Sequence, residues 1–370
     1  MNNWNEVELG SICEVVRGGS PRPIIDYITE EPDGVNWLKI GDVNETDKYF
    51  THANERIKPS GISKTREVKV GDLILSNSMS YGRAFITLID GYIHDGWLRL
   101  RCDGEQLDKE YLYYFLTSSL AQNQFKAVVT GSVVNNLKSD TVKAVRIKLP
   151  PLGTQKQIAE VLSAFDDKIK NNEEINENLA QQAQAIYADM FISNVDPTWP
   201  LGHLSDLITV KYGKDHKKLD DGPYPVYGSG GIMRYVERPL YDKESVLIPR
   251  KGTLNNVIYV NEPFWSVDTM FFTEMKLPNV AKYVYHFVKS KDLASLNAGS
   301  AVPSMTTDIL NVMELYIPDA DSLLRFESIV APMFLTMQQN AQESGKLAET
   351  RDALLPRLMS GELDVSTLDL

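Results

Sequence analysis

Residues 131–150 read GSVVNNLKSDTVKAVRIKLP, and residues 299–318 read GSAVPSMTTDILNVMELYIP. The second stretch is the first displaced by 168 positions without a gap. Gly131 aligns with Gly299, Ser132 with Ser300, Asp140 with Asp308 and Pro150 with Pro318. Apolar positions agree as well, Val145 with Met313, Ile147 with Leu315 and Leu149 with Ile317. The chain is read as a duplication. Towards the start, Trp4, Leu9, Ile12, Val15 and Gly18 align with Trp199, Leu204, Leu207, Val210 and Gly213 at an offset of 195. The first copy therefore carries 27 additional residues between its matched ends. Solenoid repeats have far shorter periods. Steady ends around variable interiors suggest two readers on one frame.

Towards the end of each copy the pattern turns helical. Thr154 to Asp196 contains neither glycine nor proline, and Thr154 with Gln157 reads as a capping box. Apolar and small positions then alternate four and three apart: Ile158, Leu162, Phe165, Ile169, Asn172, Asn176, Leu179, Ala183, Ile186 and Met190. That period of about 3.5 is a coiled-coil seam. A helix ending near Ser193-Asn194 would be a rod of about 57 Å. The second copy repeats the register with Phe326, Val330, Met333, Met337, Asn340, Ser344, Leu347, Arg351, Leu354 and Leu358, with Ser322 in the place of Thr154. Asn172 and Asn340 share one seam position; they either fix alignment or mark a wet stretch. Pro356 is expected to kink or loosen the last turns. A helix with one apolar stripe needs a partner, and the other copy supplies it. The expected fold is α+β: two mixed α/β globular domains, 1–150 and 197–318, joined by long antiparallel coiled-coil helices in 151–196 and 319–370, related by a pseudo-twofold internal repeat.

The net charge of −12 argues against nucleic acid when taken alone. Its distribution changes the reading. Residues 1–150 hold 18 basic and 20 acidic groups and residues 197–318 hold 13 of each, whereas the two helical segments are each net −5. Either near-neutral domain has room for a basic face. The chain start lacks the basic and apolar regions of a signal peptide, and no apolar run is long enough to span a membrane. Cys13 and Cys102 form no disulfide framework or metal spacing, which fits a reducing cytoplasm.

No catalytic pattern emerges. Asn261-Glu262-Pro263-Phe264 approaches an adenine-gripping Asn-Pro-Pro-Phe loop, but Glu262 replaces a proline and no glycine-rich cofactor loop accompanies it. Gly228-Ser229-Gly230-Gly231 is neither a phosphate loop nor a nucleophile elbow. The five histidines lack metal spacing. Binding residues are easier to nominate, since DNA readers need cations for phosphates and amide, hydroxyl or guanidinium groups for base edges. In the first domain these are Arg17, Arg22, Lys64, Arg66, Asn77 and Arg83. In the second they are Lys214, His216, Lys217, Lys218, Ser229, Arg234, Arg250, Lys251 and Asn255. Arg83, Lys214, Ser229, Arg250 and Lys251 lead, because strands Leu73-Ile74-Leu75 and Val246-Leu247-Ile248 each run into a polar, basic loop. Tyr113-Tyr114 and Tyr283-Tyr285 read as core rather than as stacking platforms.

Three segments resemble the specificity subunits of type I restriction–modification systems. They are Leu149-Pro150-Pro151-Leu152-Gly153-Thr154 with Gln157-Ile158-Ala159, running into Leu162 to Ile169; the end, Arg351-Asp352-Ala353-Leu354-Leu355-Pro356-Arg357-Leu358 to Leu363; and Tyr224 to Ile232 with Arg250-Lys251-Gly252-Thr253. Asp319 to Arg325 lacks the family's usual Pro-x-x-x-Gln helix opening. The resemblance implies two target-recognition domains reading halves of a split sequence on double-stranded DNA. It implies two modification subunits placing methyl groups on adenine N6, and restriction subunits that join them. It implies that S-adenosylmethionine, ATP and magnesium belong to those partners, with no cofactor, metal or catalytic residue in this chain. Two other readings are a fused adenine methyltransferase or nuclease fragment, and a coiled-coil adaptor that binds proteins only.

Overall fold

The computed structural model describes residues 4–44, 47–78, 81–129, 136–296 and 304–368. Gly131, Ser132, Gly299 and Ser300 of the repeat, and Met79 and Ser80 of the first polar loop, lie outside the described residues. Among the described residues the α-helices are α1 (Lys109–Thr117), α2 (Ser119–Val129), α3 (Ser139–Lys143), α4 (Leu152–Ala188), α5 (Leu204–Leu207), α6 (Ala281–Lys289), α7 (Thr307–Asn311) and α8 (Ala320–Ser360). The chain divides into two compact units, residues 1–171 with 343–370, and residues 172–342.

Unit 1 is built on a five-stranded sheet ordered Cys13–Arg17, Trp97–Cys102, Leu73–Ser76, Ala84–Thr87 and Tyr49–Phe50. Successive side chains of a strand face opposite ways, and both faces of this sheet are covered. Leu73, Leu75, Leu98 and Leu100 join Tyr111, Phe115 and Phe125 of α1 and α2. Ile74 and Trp97 turn to the other side, where Phe50, Phe85 and Val68 meet them. Two-sided burial explains why the strand Leu73-Ile74-Leu75 is apolar throughout rather than alternating. A second sheet, ordered Glu55–Ile57, Val35–Leu38, Gly91–Ile93 and Arg66–Val68, lies on that other side.

Unit 2 repeats the central plan. Its main sheet runs Ile208–Tyr212, Met270–Met275, Ser245–Pro249 and Ile258–Val260, the same order as the first four strands of unit 1. Val246, Ile248 and Phe271 face one core and Leu247, Met270 and Phe272 the other. A three-stranded sheet of Gly231–Val236, Tyr224–Gly228 and Trp265–Ser266 covers the second side.

The long helices pack on each other inside each unit. In unit 1, Ile158, Ala159 and Leu162 of α4 share a core with Leu355, Leu358 and Met359 of α8. In unit 2, Ala183, Tyr187 and Phe191 share a core with Leu323, Phe326 and Val330. Also in unit 2, the Asn340 amide donates to Asn176 Oδ1 at 2.8 Å and the Asn176 amide to the Met337 carbonyl at 3.1 Å. These contacts make the pair antiparallel. Asn172, 1% exposed, donates to the Asn340 carbonyl at 3.5 Å, so the shared polar position bonds across the seam. Ile158, Leu162, Phe165, Ile169, Asn172, Leu179, Ile186, Phe326, Val330, Met333, Met337, Asn340, Leu347 and Leu354 are each buried or half-buried.

Three expectations are corrected. Helix α4 starts at Leu152, ahead of Thr154, and it is not opened by a Thr154 box. Gln155 fixes that end instead: fully buried, it donates to the Gln106 and Pro150 carbonyls and accepts from the Asp108 amide. Helix α8 continues through Pro356 to Ser360, because Leu355, Leu358 and Met359 are buried there and packing outweighs one lost backbone bond. Cys13 and Cys102 are joined as a disulfide. They are register partners on adjacent antiparallel strands, a pairing that a separation of 89 residues hides. No helix among the described residues is long and apolar enough to cross a membrane.

One buried group makes unit 2 sensitive to acid. His286 of α6 is 2% exposed, stacked on Tyr187 and hydrogen-bonded through Nδ1 to Gln184 Oε1 at 2.9 Å. Burial, with the nearby Lys289 charge, pushes its pKa down to about 4. The folded ring stays neutral while the unfolded ring takes up a proton below its ordinary value near 6.5. Stability is therefore intact above about pH 6.5 and falls by about 1.4 kcal/mol per pH unit towards pH 4. Urea midpoints of H286F and wild type measured across this range should converge at low pH. Parallel pH dependences would show that His286 is not the sensor.

Candidate nucleic-acid interface

In both units the basic loops gather around one β-turn that precedes the second strand of the main sheet. In unit 1 the turn is His94–Trp97, closed by the Trp97 amide donating to the His94 carbonyl at 3.1 Å. In unit 2 it is Val267–Met270, closed by Met270 to Val267 at 2.9 Å. The Gly18 amide donates to the Trp97 carbonyl, and the Gly213 amide to that of Met270. The residue that follows the third strand also grips the turn. Asn77 donates its amide to the Gly96 carbonyl and its side chain to the Asp95 carbonyl at 2.8 Å. Arg250 donates its amide to the Thr269 carbonyl and Nη1 to the Asp268 carbonyl at 3.3 Å. Both gripping residues accept a further backbone bond, from Leu137 and from Met305. Asn77 and Arg250 are thus the same position in the fold, and so are Asp95 and Asp268.

The nominated residues divide by what they touch. In unit 1, Arg17, Arg22 and Asn77 converge on Asp95. Arg17 Nε donates to its carbonyl at 3.0 Å, Arg22 lies 3.3 Å from its carboxylate, and Asn77, 1% exposed, holds its backbone. Ser20 donates to Asp95 Oδ1 at 2.7 Å. This bond, with His94 and Arg17 nearby, holds the Asp95 carboxyl below the usual carboxylate range. Arg66 is the strand partner of Ile93, beside the turn, and Lys64 donates to the Tyr27 hydroxyl at 2.6 Å above that ring. Arg83 donates to the Asn44 carbonyl at 2.6 Å and covers the Phe85 ring.

In unit 2, Lys214, Arg250 and Lys251 meet at the turn. The Lys214 amide donates to the Ser266 carbonyl, the Lys251 amide to that of Thr269, and Arg250 covers the exposed Tyr212 ring at 5.4 Å. Ser229 is tied in through its carbonyl, which accepts from Asn256 at 2.8 Å. His216, Lys217 and Lys218 follow Lys214, the two lysines exposed. Two nominees point elsewhere. Arg234 is bound to the Leu219 carbonyl and Asp221, and Asn255 to Asp292 and the Ala294 amide. Sequence reasoning passed over Asp95 and Asp268. Their separation of 173 matches neither offset seen in the sequence, and an acid carries no signal of DNA contact in a sequence read for cations.

Residues 1–181 and 198–322 match the family described as Type I restriction modification DNA specificity domain. The MjaIX specificity subunit of Methanocaldococcus jannaschii is 24% identical over 99% of this chain and 95% of its own length. The HindI specificity subunit of Haemophilus influenzae is 20% identical over 98% of this chain and all of its own length. The S subunit of a type I restriction–modification system from M. genitalium shares the fold, with a TM-score of 0.62 at 19% identity over 97% of each chain. The chain belongs to the type I restriction–modification DNA specificity family, and it is a DNA sequence-recognition subunit.

Proposed function

We propose that each unit reads one part of a two-part duplex target and that the chain has no catalytic residue of its own. The observation that carries this reading is the turn-and-clamp constellation built twice, each time among exposed cations. Arg22 in one unit and Lys214 and Lys251 in the other supply phosphate contacts, and the turns and neighbouring loops present base-reading groups. Two modification subunits bind the helical segments 151–196 and 319–370 and methylate adenine N6, and restriction subunits join them. S-adenosylmethionine, ATP and magnesium are theirs. The cytoplasm is where such a complex meets incoming DNA. The domain limits 1–150 and 197–318 and the spacer role of the helices belong to the same proposal.

The test is the spacer. One heptad inserted after Leu179 and one after Leu347 keeps the seam in register and adds about 10 Å of helix, roughly three base pairs of duplex. The methylated motif, read by sequencing DNA from cells that carry the chain with its modification subunits, should gain unread base pairs and keep its read bases. New read bases at the old spacing would contradict the reading. Methyl transfer by the purified chain alone, given S-adenosylmethionine and DNA, would contradict the absence of a catalytic site.

A further inference from the structure

We propose that Asp95 and Asp268 are base-reading residues, one in each unit, whose carboxylates accept a hydrogen bond from an amino group on the major-groove edge, cytosine N4 by preference. The inference rests on the reading that these two faces bind DNA. An ionised carboxylate is an acceptor only, and it is repelled by every phosphate that the surrounding cations attract. On a DNA-binding face it is tolerated where it meets a donor. The donors that duplex DNA offers in the major groove are cytosine N4 and adenine N6, and an aspartate pairs best with the former.

The position is built rather than incidental. Each aspartate sits in the same turn, closed by a backbone bond, with its carbonyl gripped by the residue that follows the third strand. The glycine that follows the first strand closes against the same turn in both units. Backbone bonds therefore fix the turn that carries each aspartate before DNA arrives, and little main-chain ordering entropy remains to be lost on binding. The two copies differ in the surroundings of the carboxylate. Asp95, with its side chain 41% exposed, is held by Ser20 and Arg22. Asp268 is exposed, and among the described residues no side-chain bond engages its carboxylate. The turn of Asp268 is held through main-chain atoms, so its exposed carboxylate is not needed to hold the turn and can meet a donor on DNA.

The full chain with its modification subunits is used to select duplexes from a randomised pool. Wild type should select a two-part motif with a fixed C·G pair in each part. D268N should relax one such pair in one part, lowering discrimination there tenfold to a hundredfold, about 1–3 kcal/mol. D95N should do the same in the other part, with the remaining positions unchanged. Thermal melting of each variant accompanies the selection, and if D95N is unfolded then D268N decides alone. A motif unchanged in D268N, or affinity altered equally for all sequences, overturns the assignment and leaves the DNA reading standing. Absence of any selected motif with wild type overturns both.

Discussion

Replacing Lys282 by methionine should cost unit 2 about 3–5 kcal/mol at neutral pH, the cost of breaking a buried pair by removing one partner. Lys282 lies on α6 with its side chain 4% exposed. Its ammonium is 2.8 Å from Glu244 Oε1 and 2.7 Å from Glu327 Oε1, and it stands 4.8 Å from the centre of the Tyr259 ring. Tyr259 donates its hydroxyl to Glu244. One cation thus neutralises two largely buried acids from different elements. Without it both carboxylates remain in a poor dielectric, and Glu327 Oε2 has no hydrogen-bond partner among the described residues even with Lys282 present. Urea unfolding measures the loss. Adding E327Q to K282M should recover more than half of it. A deficit below about 1 kcal/mol at pH 7 would mean that water reaches this cluster and screens it.

The same position shows where the repeat stops being legible. Tyr111 and Tyr283 both donate their hydroxyl to the carbonyl of the last strand of their copy, at Lys148 and at Tyr316. They are therefore equivalent, and so are their predecessors Glu110 and Lys282. The charge has changed sign between the copies. In unit 1 the acid is on the helix, and the cation, Lys48, comes from outside it, 2.7 Å from Glu110 and within reach of Tyr114 and Ser163. Tyr114 also bonds to Asp166, which pairs with Arg351. That pair explains an arginine in the apolar seam of the second helix. A sequence comparison scores Glu against Lys as a mismatch, although each fills the same need for a counter-charge between a short helix and the long pair.

Local signals fared differently. The 3.5-residue period shows in sequence because every turn of a long helix repeats the same burial. Strands Leu73-Ile74-Leu75 and Val246-Leu247-Ile248 show because both faces of the main sheet are covered. The clamp on the turn does not show. Asn77 and Arg250 share no side-chain chemistry beyond an N–H, and what they grip is a carbonyl, which any residue supplies. The Cys13–Cys102 pairing was hidden for a related reason, since strand register is set by contacts distant in sequence.

Gly18 and Gly213 align in sequence for a reason that only the turn supplies, and alanine at either should disable one half of the reader. A Cβ on Gly213 would lie 2.0 Å from the Val267 carbonyl oxygen and 2.5 Å from that of Ser266. On Gly18 it would lie 2.2 Å from the His94 oxygen and 2.7 Å from that of Ile93. These are main-chain atoms of the turn and of the residue before it, so no side chain can swing aside to make room. The turn must move, loosening the Gly213–Met270 bond and the grip of Arg250 on Asp268. Forcing an extra carbon into a packed site costs about 1–3 kcal/mol, so G213A should weaken DNA binding by up to about a hundredfold. G18A should do the same through the first half of the target, and each variant should leave the motif of the other half intact. Gly230 is the control, because a Cβ there meets nothing within 4 Å, and G230A should bind as wild type does. Competition binding with duplexes scrambled in one half or the other resolves the effects. If G213A and G230A bind alike, the turn is not where unit 2 meets DNA, and the cations around it are ordinary solvated charges.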